Sequence, residues 1–294
     1  MATMSYDELD GLIWFNGEMV PWGEAKLHVL THGLHYGSCV FEGERVYDGG
    51  IFKLSEHTAR LHKSARLLDF EIPFSPAAID DACREVVAAN RIVDGYVRPV
   101  AWRGSEMMGV SAQANRINVA VAVWQWPSYF SPEARLKGIR LKTSSWRRPS
   151  PETAPVHAKA AGLYMICTLS KHAAEKQGYE DALMLDWRGQ VAEATGANIF
   201  LVIDGELHTP TPDCFLDGIT RQTVMELARA RGYRIIERAI MPEELAKTSE
   251  IFITGTAAEV TPIGGIDDRT FTVGEITRNL MQDYDAVVRM KRAA

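Results

Sequence analysis

Apolar residues in the first 127 positions fall into short runs punctuated by glycine, proline and asparagine, a pattern that predicts strands with a few amphipathic helices. Leu12-Ile13-Trp14-Phe15 reads as a strand turned by Asn16-Gly17, a dipeptide suited to the positive φ of a tight hairpin. A second strand is predicted over 40–47, with Asp48-Gly49-Gly50 turning it into Ile51-Phe52-Lys53. Ser55 is a good N-cap, and Leu61, Ala65 and Leu68 recur at helical spacing, so a helix is predicted to run to residue 68. Another helix is expected over 76–90. Residues 96–100 and 117–124 read as strands separated by the loop 104–115.

The stretch 126–138, with Pro127 and Ser131-Pro132, reads as a connection, and residues 128–138 are assigned as an interdomain linker. A smaller N-terminal domain is therefore expected over 1–127, and a larger one over 139–294 carrying Lys159. In the second half, strands are predicted over 139–144, 182–186, 190–192, 198–203 and 251–254, with a hairpin at Asp204-Gly205. Helices are predicted over 163–177, 220–231 and 274–291. Strands and helices mix without βαβ regularity and no GxGxxG occurs, which favours two α+β domains over a dinucleotide-binding sheet.

Composition narrows the function classes. A chain of 294 residues with 46% hydrophobic and 24% charged residues has the balance of a soluble globular protein and is long enough for two domains. Its net charge of −6 argues against a nucleic-acid binder, which normally presents a basic field. Cys39, Cys83, Cys167 and Cys214 show no metal-ligand spacing and read as reduced thiols, so no metal is expected. Residues 1–10 are polar and acidic, unlike a secretory signal, and no apolar stretch suffices to span a bilayer. A cytoplasmic protein with no membrane partner is expected.

Candidate chemistry starts at Lys159, in Pro155-Val156-His157-Ala158-Lys159-Ala160-Ala161-Gly162, with no acidic neighbour. A lysine among small, weakly polar residues is a candidate amine nucleophile, because loss of water favours the neutral amine. A lysine on a turn before a helix is the plain alternative. Asp217-Gly218-Ile219-Thr220 leads into a predicted helix, whose first amides form a natural phosphate seat, or else a simple turn capped by Thr220. Gly255-Thr256-Ala257 closes a strand with small residues that let backbone amides approach an anion, or else makes a tight strand-to-strand connection. Glu193 stands among small residues after a strand-like run, or else is a solvated loop carboxylate, the ordinary place for such a charge. An amine, a phosphate seat and a carboxylate together describe pyridoxal phosphate chemistry.

Several segments resemble the branched-chain amino-acid aminotransferases of the fold-type IV (D-amino-acid aminotransferase-like) pyridoxal-phosphate class. They are Ile13 to Glu18, His32 to Gly37, Val40-Phe41-Glu42-Gly43, Glu56 to His62, Tyr96-Val97-Arg98-Pro99, Ala158-Lys159-Ala160, Gly218-Ile219-Thr220-Arg221 and Gly255 to Pro262, in the family's order. The resemblance implies Lys159 as the Schiff-base lysine and proton shuttle. It implies cofactor binding by Arg60, Tyr164, Glu193, Gly196, Asn198, Ile219, Thr220 and Thr256: the phosphate on Arg60, Ile219, Thr220 and Thr256, the phenolic oxygen on Tyr164, and the pyridinium on Glu193. Tyr36, Phe41, Gly43, Tyr96, Arg98, Trp126, Tyr129 and Ala257 would form the substrate pocket. Thr256 and Ala257 would meet the α-carboxylate, and Arg98 the distal carboxylate of glutamate. The loop carrying Met108, Gly109 and Val110 would reach a partner subunit's site.

The implied reaction is transamination of L-leucine, L-isoleucine and L-valine with 2-oxoglutarate, in at least a homodimer, with a hexamer as the higher assembly. The alternatives on this fold are a D-amino-acid or (R)-amine transaminase, or aminodeoxychorismate lyase. Two departures touch the cofactor's surroundings: Glu193-Ala194-Thr195-Gly196-Ala197-Asn198 has alanine where the family has a second glutamate, and Ala161-Gly162-Leu163-Tyr164 replaces Gly-Gly-Asn-Tyr. Met107-Met108 could also change how the pocket is walled.

Overall fold

A computed structural model describes residues 5–126 and 132–289. Its contacts divide the chain into two compact units. The first comprises residues 1–127 together with Ala158–Gly162, and the second Ser128–His157 with the chain from Leu163 onward. The segment carrying Lys159, expected with the C-terminal domain, thus packs with the first unit. Tyr129 and part of the expected linker lie outside the described residues, and Pro132–Lys137 within that stretch is helical.

In the first unit a seven-stranded antiparallel sheet runs in the order Glu18–Pro21, Leu12–Phe15, Ile117–Gln125, Gly95–Arg103, Glu44–Tyr47, Gly50–Ile51, with Cys39–Phe41 also pairing to Gly95–Arg103. Asn16 and Gly17 both take positive φ, the conformation expected of their hairpin. One sheet face buries Val40, Val97, Val119 and Val121 against helices Leu54–Leu67 and Pro76–Ala89, which contribute Leu61, Ala65, Ile79 and Val86. Ser75 caps the second helix by accepting from the Ala78 amide at 3.2 Å. Ser55 does not cap the first: Lys53 occupies that position with φ 56°, and Ser55 instead donates to Asp80.

The strand expected over 40–47 is broken at Glu42-Gly43, and the register explains why. Phe41 pairs with Val100 and Glu44 with Val97, so the break faces Arg98-Pro99. Proline has no amide hydrogen to give a ladder. A side chain at Gly43 would also place its Cβ 1.7 Å from the Tyr96 hydroxyl, so the glycine makes room for that ring.

The second unit holds a nine-stranded mixed sheet. Its path runs through Val191–Ala194, Asp181–Asp186, Ile139–Arg148, Glu259–Ile266, Glu250–Gly255 and Asn198–Ile203, and the last strand pairs back to the first. Those six strands therefore close a ring, which removes their edges. Leu141, Leu183, Ile199, Leu201, Ile253 and Ile263 pack in its core. The chain after Ile203 turns at Asp204-Gly205, both at positive φ, into Glu206–Pro210. Helix Ile219–Ala230 follows, and Glu275–Arg289 packs against it.

Candidate active site

Within the first unit, backbone bonds fix Lys159. Its carbonyl accepts from the Phe41 amide at 3.1 Å, its amide donates to Ser64 Oγ at 2.9 Å, and Ala160 bridges to Val40. The side chain is half-buried, and Nζ lies 5.0 Å from the centre of the Phe41 ring. Beside the same strand, Glu42 is fully buried and accepts from Arg60 Nε at 2.6 Å, Arg60 Nη2 at 2.7 Å and His57 Nδ1 at 2.7 Å. Burial pushes the Glu42 carboxyl up. The Arg60 charge and hydrogen bonds, with those of His57, outweigh burial and hold it below the usual carboxylate range. His57 is pushed the other way: burial lowers it, helped by Arg60 and Lys159, despite its bond to Glu42.

The sheet face away from the helices is aromatic. Tyr96 sits 5.4 Å from Trp124 and 5.5 Å from Trp126, ring to ring. Arg98 places its guanidinium carbon 4.7 Å from the Phe41 ring centre and 5.3 Å from that of Tyr96. Its Nε is buried with no hydrogen-bond partner among the described residues. Tyr36, half exposed, donates to the Met108 carbonyl at 3.0 Å, and His32 Nε2 lies 3.0 Å from the Gly109 carbonyl. Met108 is thereby held half-buried while Val110 is 85% exposed.

In the second unit, Glu193 is buried on Val191–Ala194. Arg148 Nε lies 3.4 Å from its Oε1, an ion pair without hydrogen-bond geometry, and Asn198 Nδ2 donates to Oε2 at 3.2 Å. Asn198 also donates to the Leu216 carbonyl at 3.0 Å, tying the carboxylate's hairpin to the loop that enters helix Ile219–Ala230. Gly218 is that helix's N-cap, with no side-chain cap, so the first-turn amides of Ile219 and Thr220 have no acceptor within the helix. A Cβ at Gly218 would lie 2.2 Å from Asn198 Oδ1. Arg221, 1% exposed, bonds Asp217 and Glu237 at 2.7 Å each and anchors the same helix end. Thr256 and Ala257 lie in the three-residue turn joining Glu250–Gly255 to Glu259–Ile266, both half-buried. Gly196 lies exposed in the turn after Glu193, and Tyr164 ends the short helical turn Ala161–Tyr164.

The first unit thus gathers Lys159, Arg60, Phe41, Gly43, Tyr96, Arg98, Trp126, Tyr36, Met108 and Val110. The second carries Glu193, Asn198, Gly196, Ile219, Thr220, Thr256, Ala257 and Tyr164. Sequence reasoning missed Glu42, His57, Trp124 and Arg148 as parts of these arrangements. The first three lay in segments already singled out or in a strand, where a side chain's direction is not visible. Arg148, beside a proline-rich loop, gave no signal.

Residues 39–266 match the family described as Amino-transferase class IV. The chain belongs to the class IV aminotransferases. It is 41% identical to the branched-chain-amino-acid aminotransferase of Pseudomonas aeruginosa, over 99% of this chain and 97% of that one. The solved branched-chain amino acid aminotransferase of Escherichia coli matches with a TM-score of 0.93 at 37% identity, covering 97% of each chain. An aminotransferase from Brucella abortus, solved with its cofactor pyridoxal phosphate bound, matches at a TM-score of 0.85 and 32% identity, covering 95% of this chain and 99% of that one.

Proposed function

We infer that the chain is a pyridoxal-phosphate-dependent aminotransferase moving amino groups from leucine, isoleucine and valine to 2-oxoglutarate. The observation that carries the substrate reading is the aromatic face of Phe41, Tyr96, Trp124 and Trp126 interrupted by Arg98. Aromatic walls bury a branched apolar chain, and one arginine gives a distal carboxylate a charge-assisted hydrogen bond. The same surface can serve both half-reactions.

The donor set fits the cofactor. The uncapped start of helix Ile219–Ala230, the small-residue turn at Thr256 and the guanidinium of Arg60 suit a phosphate, and buried Glu193 suits a ring nitrogen that must stay protonated. Bound pyridoxal phosphate supplies an electron sink for the bond broken at the substrate's α-carbon. Arg60, Ile219, Thr220 and Thr256 would hold its phosphate and Tyr164 its phenolic oxygen, while Glu193, which Asn198 steadies, would meet its ring nitrogen. Lys159 would provide the amine that tethers it and the base that moves the α-proton. Thr256 and Ala257 present amides to the α-carboxylate.

We place the protein in the cytoplasm; among the described residues no helix is long and apolar enough to cross a membrane. A homodimer is the working assembly, extendable to a hexamer. The first unit bears an apolar groove of about 380 Å³ lined by Ile13, Phe15, Leu34, Val100 and Trp102, beside exposed Leu27, Val29 and Leu30. Such a surface suits a second copy.

A substrate panel tests the reading. L-leucine with 2-oxoglutarate should give glutamate at least about a hundredfold faster than D-alanine or an (R)-amine does. Preference for either of the latter, or pyruvate release from aminodeoxychorismate, would move the chain to another activity of this fold.

A further inference from the structure

Glu42 lies two residues after Val40, on the helix-facing side of the sheet; its amide still donates to the Pro99 carbonyl at 2.8 Å, and its carboxylate reaches helix Leu54–Leu67. There it takes both Nε and Nη2 of Arg60, at 2.6 and 2.7 Å, a two-point grip on a planar group. His57, one turn earlier on the helix, donates to the same carboxylate at 2.7 Å, which fixes the carboxylate in its turn. Glu42 is 0% and His57 2% exposed, whereas the Arg60 side chain is 15% exposed. The buried pair therefore holds the Nε/Nη2 edge of the guanidinium and fixes the plane of the group at the margin of the buried cluster.

We propose that Glu42, braced by His57, is a positioning residue that orients Arg60 for a phosphate monoester. The proposal rests on the reading of Arg60 as a phosphate-binding residue. A carboxylate that only neutralised a buried arginine would support the fold without distinguishing ligands. One that aims the guanidinium affects only ligands bearing the phosphate. A lysine at position 60 could not substitute, since it lacks the fork that Glu42 grips.

The test titrates the full-length chain, stripped of cofactor, with pyridoxal phosphate and with pyridoxal, following tryptophan fluorescence. Glu42→Gln should weaken pyridoxal phosphate binding by about ten- to hundredfold, the range seen when a partner behind a ligand-holding side chain is lost. Pyridoxal affinity should stay within about twofold, and in an Arg60→Met background Glu42→Gln should add less than about twofold. Should Glu42→Gln not fold, His57→Asn removes one of the three bonds and should give a smaller loss, again confined to the phosphorylated ligand. Equal losses for both ligands, or no loss while Arg60→Met weakens pyridoxal phosphate, would overturn the proposal. Arg60→Met without effect on either ligand would overturn the reading of Arg60, and the proposal with it.

Discussion

Glu44 and Glu42 are two residues apart and both fully buried, yet their surroundings drive them in opposite directions. Glu42 has Arg60 and His57. Both oxygens of Glu44 lack a hydrogen-bond partner among the described residues. Burial first, then the charges of Glu42 and Asp80, push the Glu44 carboxyl well above its ordinary value, so it is carried neutral in the fold. In the unfolded chain it ionises above about pH 4.5. The fold is therefore penalised increasingly as pH rises past that point. Glu44→Gln should raise the melting temperature by at least about 2 °C at pH 8, for a chain of this size, and the gain should vanish towards pH 4. A gain independent of pH would contradict this assignment. Neither role could be read from Val40-Phe41-Glu42-Gly43-Glu44, because charge alternation does not say which acid finds a base across the fold. Lys159 stands out as a candidate in the sequence because its neighbours along the chain are small and uncharged. Arg148 does not, since its link to Glu193 joins residues far apart in sequence.

Elements were legible where local chemistry decided them. Asn16-Gly17 and Asp204-Gly205 turn with the positive φ that such pairs favour, and Ser75-Pro76 starts a helix as a cap followed by a first-turn proline. The misses have tertiary causes. The strand expected over 40–47 breaks because Pro99, on its partner, gives no amide and Gly43 must admit Tyr96. Strand Ile235–Arg238 escaped notice because it is short, ends in two charged residues and pairs in parallel with Glu206–Pro210 across an intervening helix. Helix Ile219–Ala230 starts at Ile219, with Gly218 as its cap, rather than at Thr220, which leaves the threonine in the first turn with its amide facing out of the helix end.

At the scale of the whole molecule, the sequence pattern located two α+β units but not the closure of six strands into a ring, which depends on pairing strands far apart in sequence, Ile139–Arg148 with Glu259–Ile266 and Asn198–Ile203 with Glu250–Gly255, beside the local hairpin of Glu193 and Asn198. It also could not show that Ala158–Gly162 packs with the first unit. The apolar groove of that unit and its exposed leucines carry a further expectation: sedimentation equilibrium should give a mass of at least two chains, and Leu34→Glu should shift it towards one. A wild-type chain that sediments as a monomer at micromolar concentration would remove the dimer from the account. Most of the rest hangs on one amine. Borohydride reduction of the protein loaded with pyridoxal phosphate, followed by peptide mass mapping, should place the cofactor on Lys159 and nowhere else; a label on any other lysine, or none, would contradict the assignment.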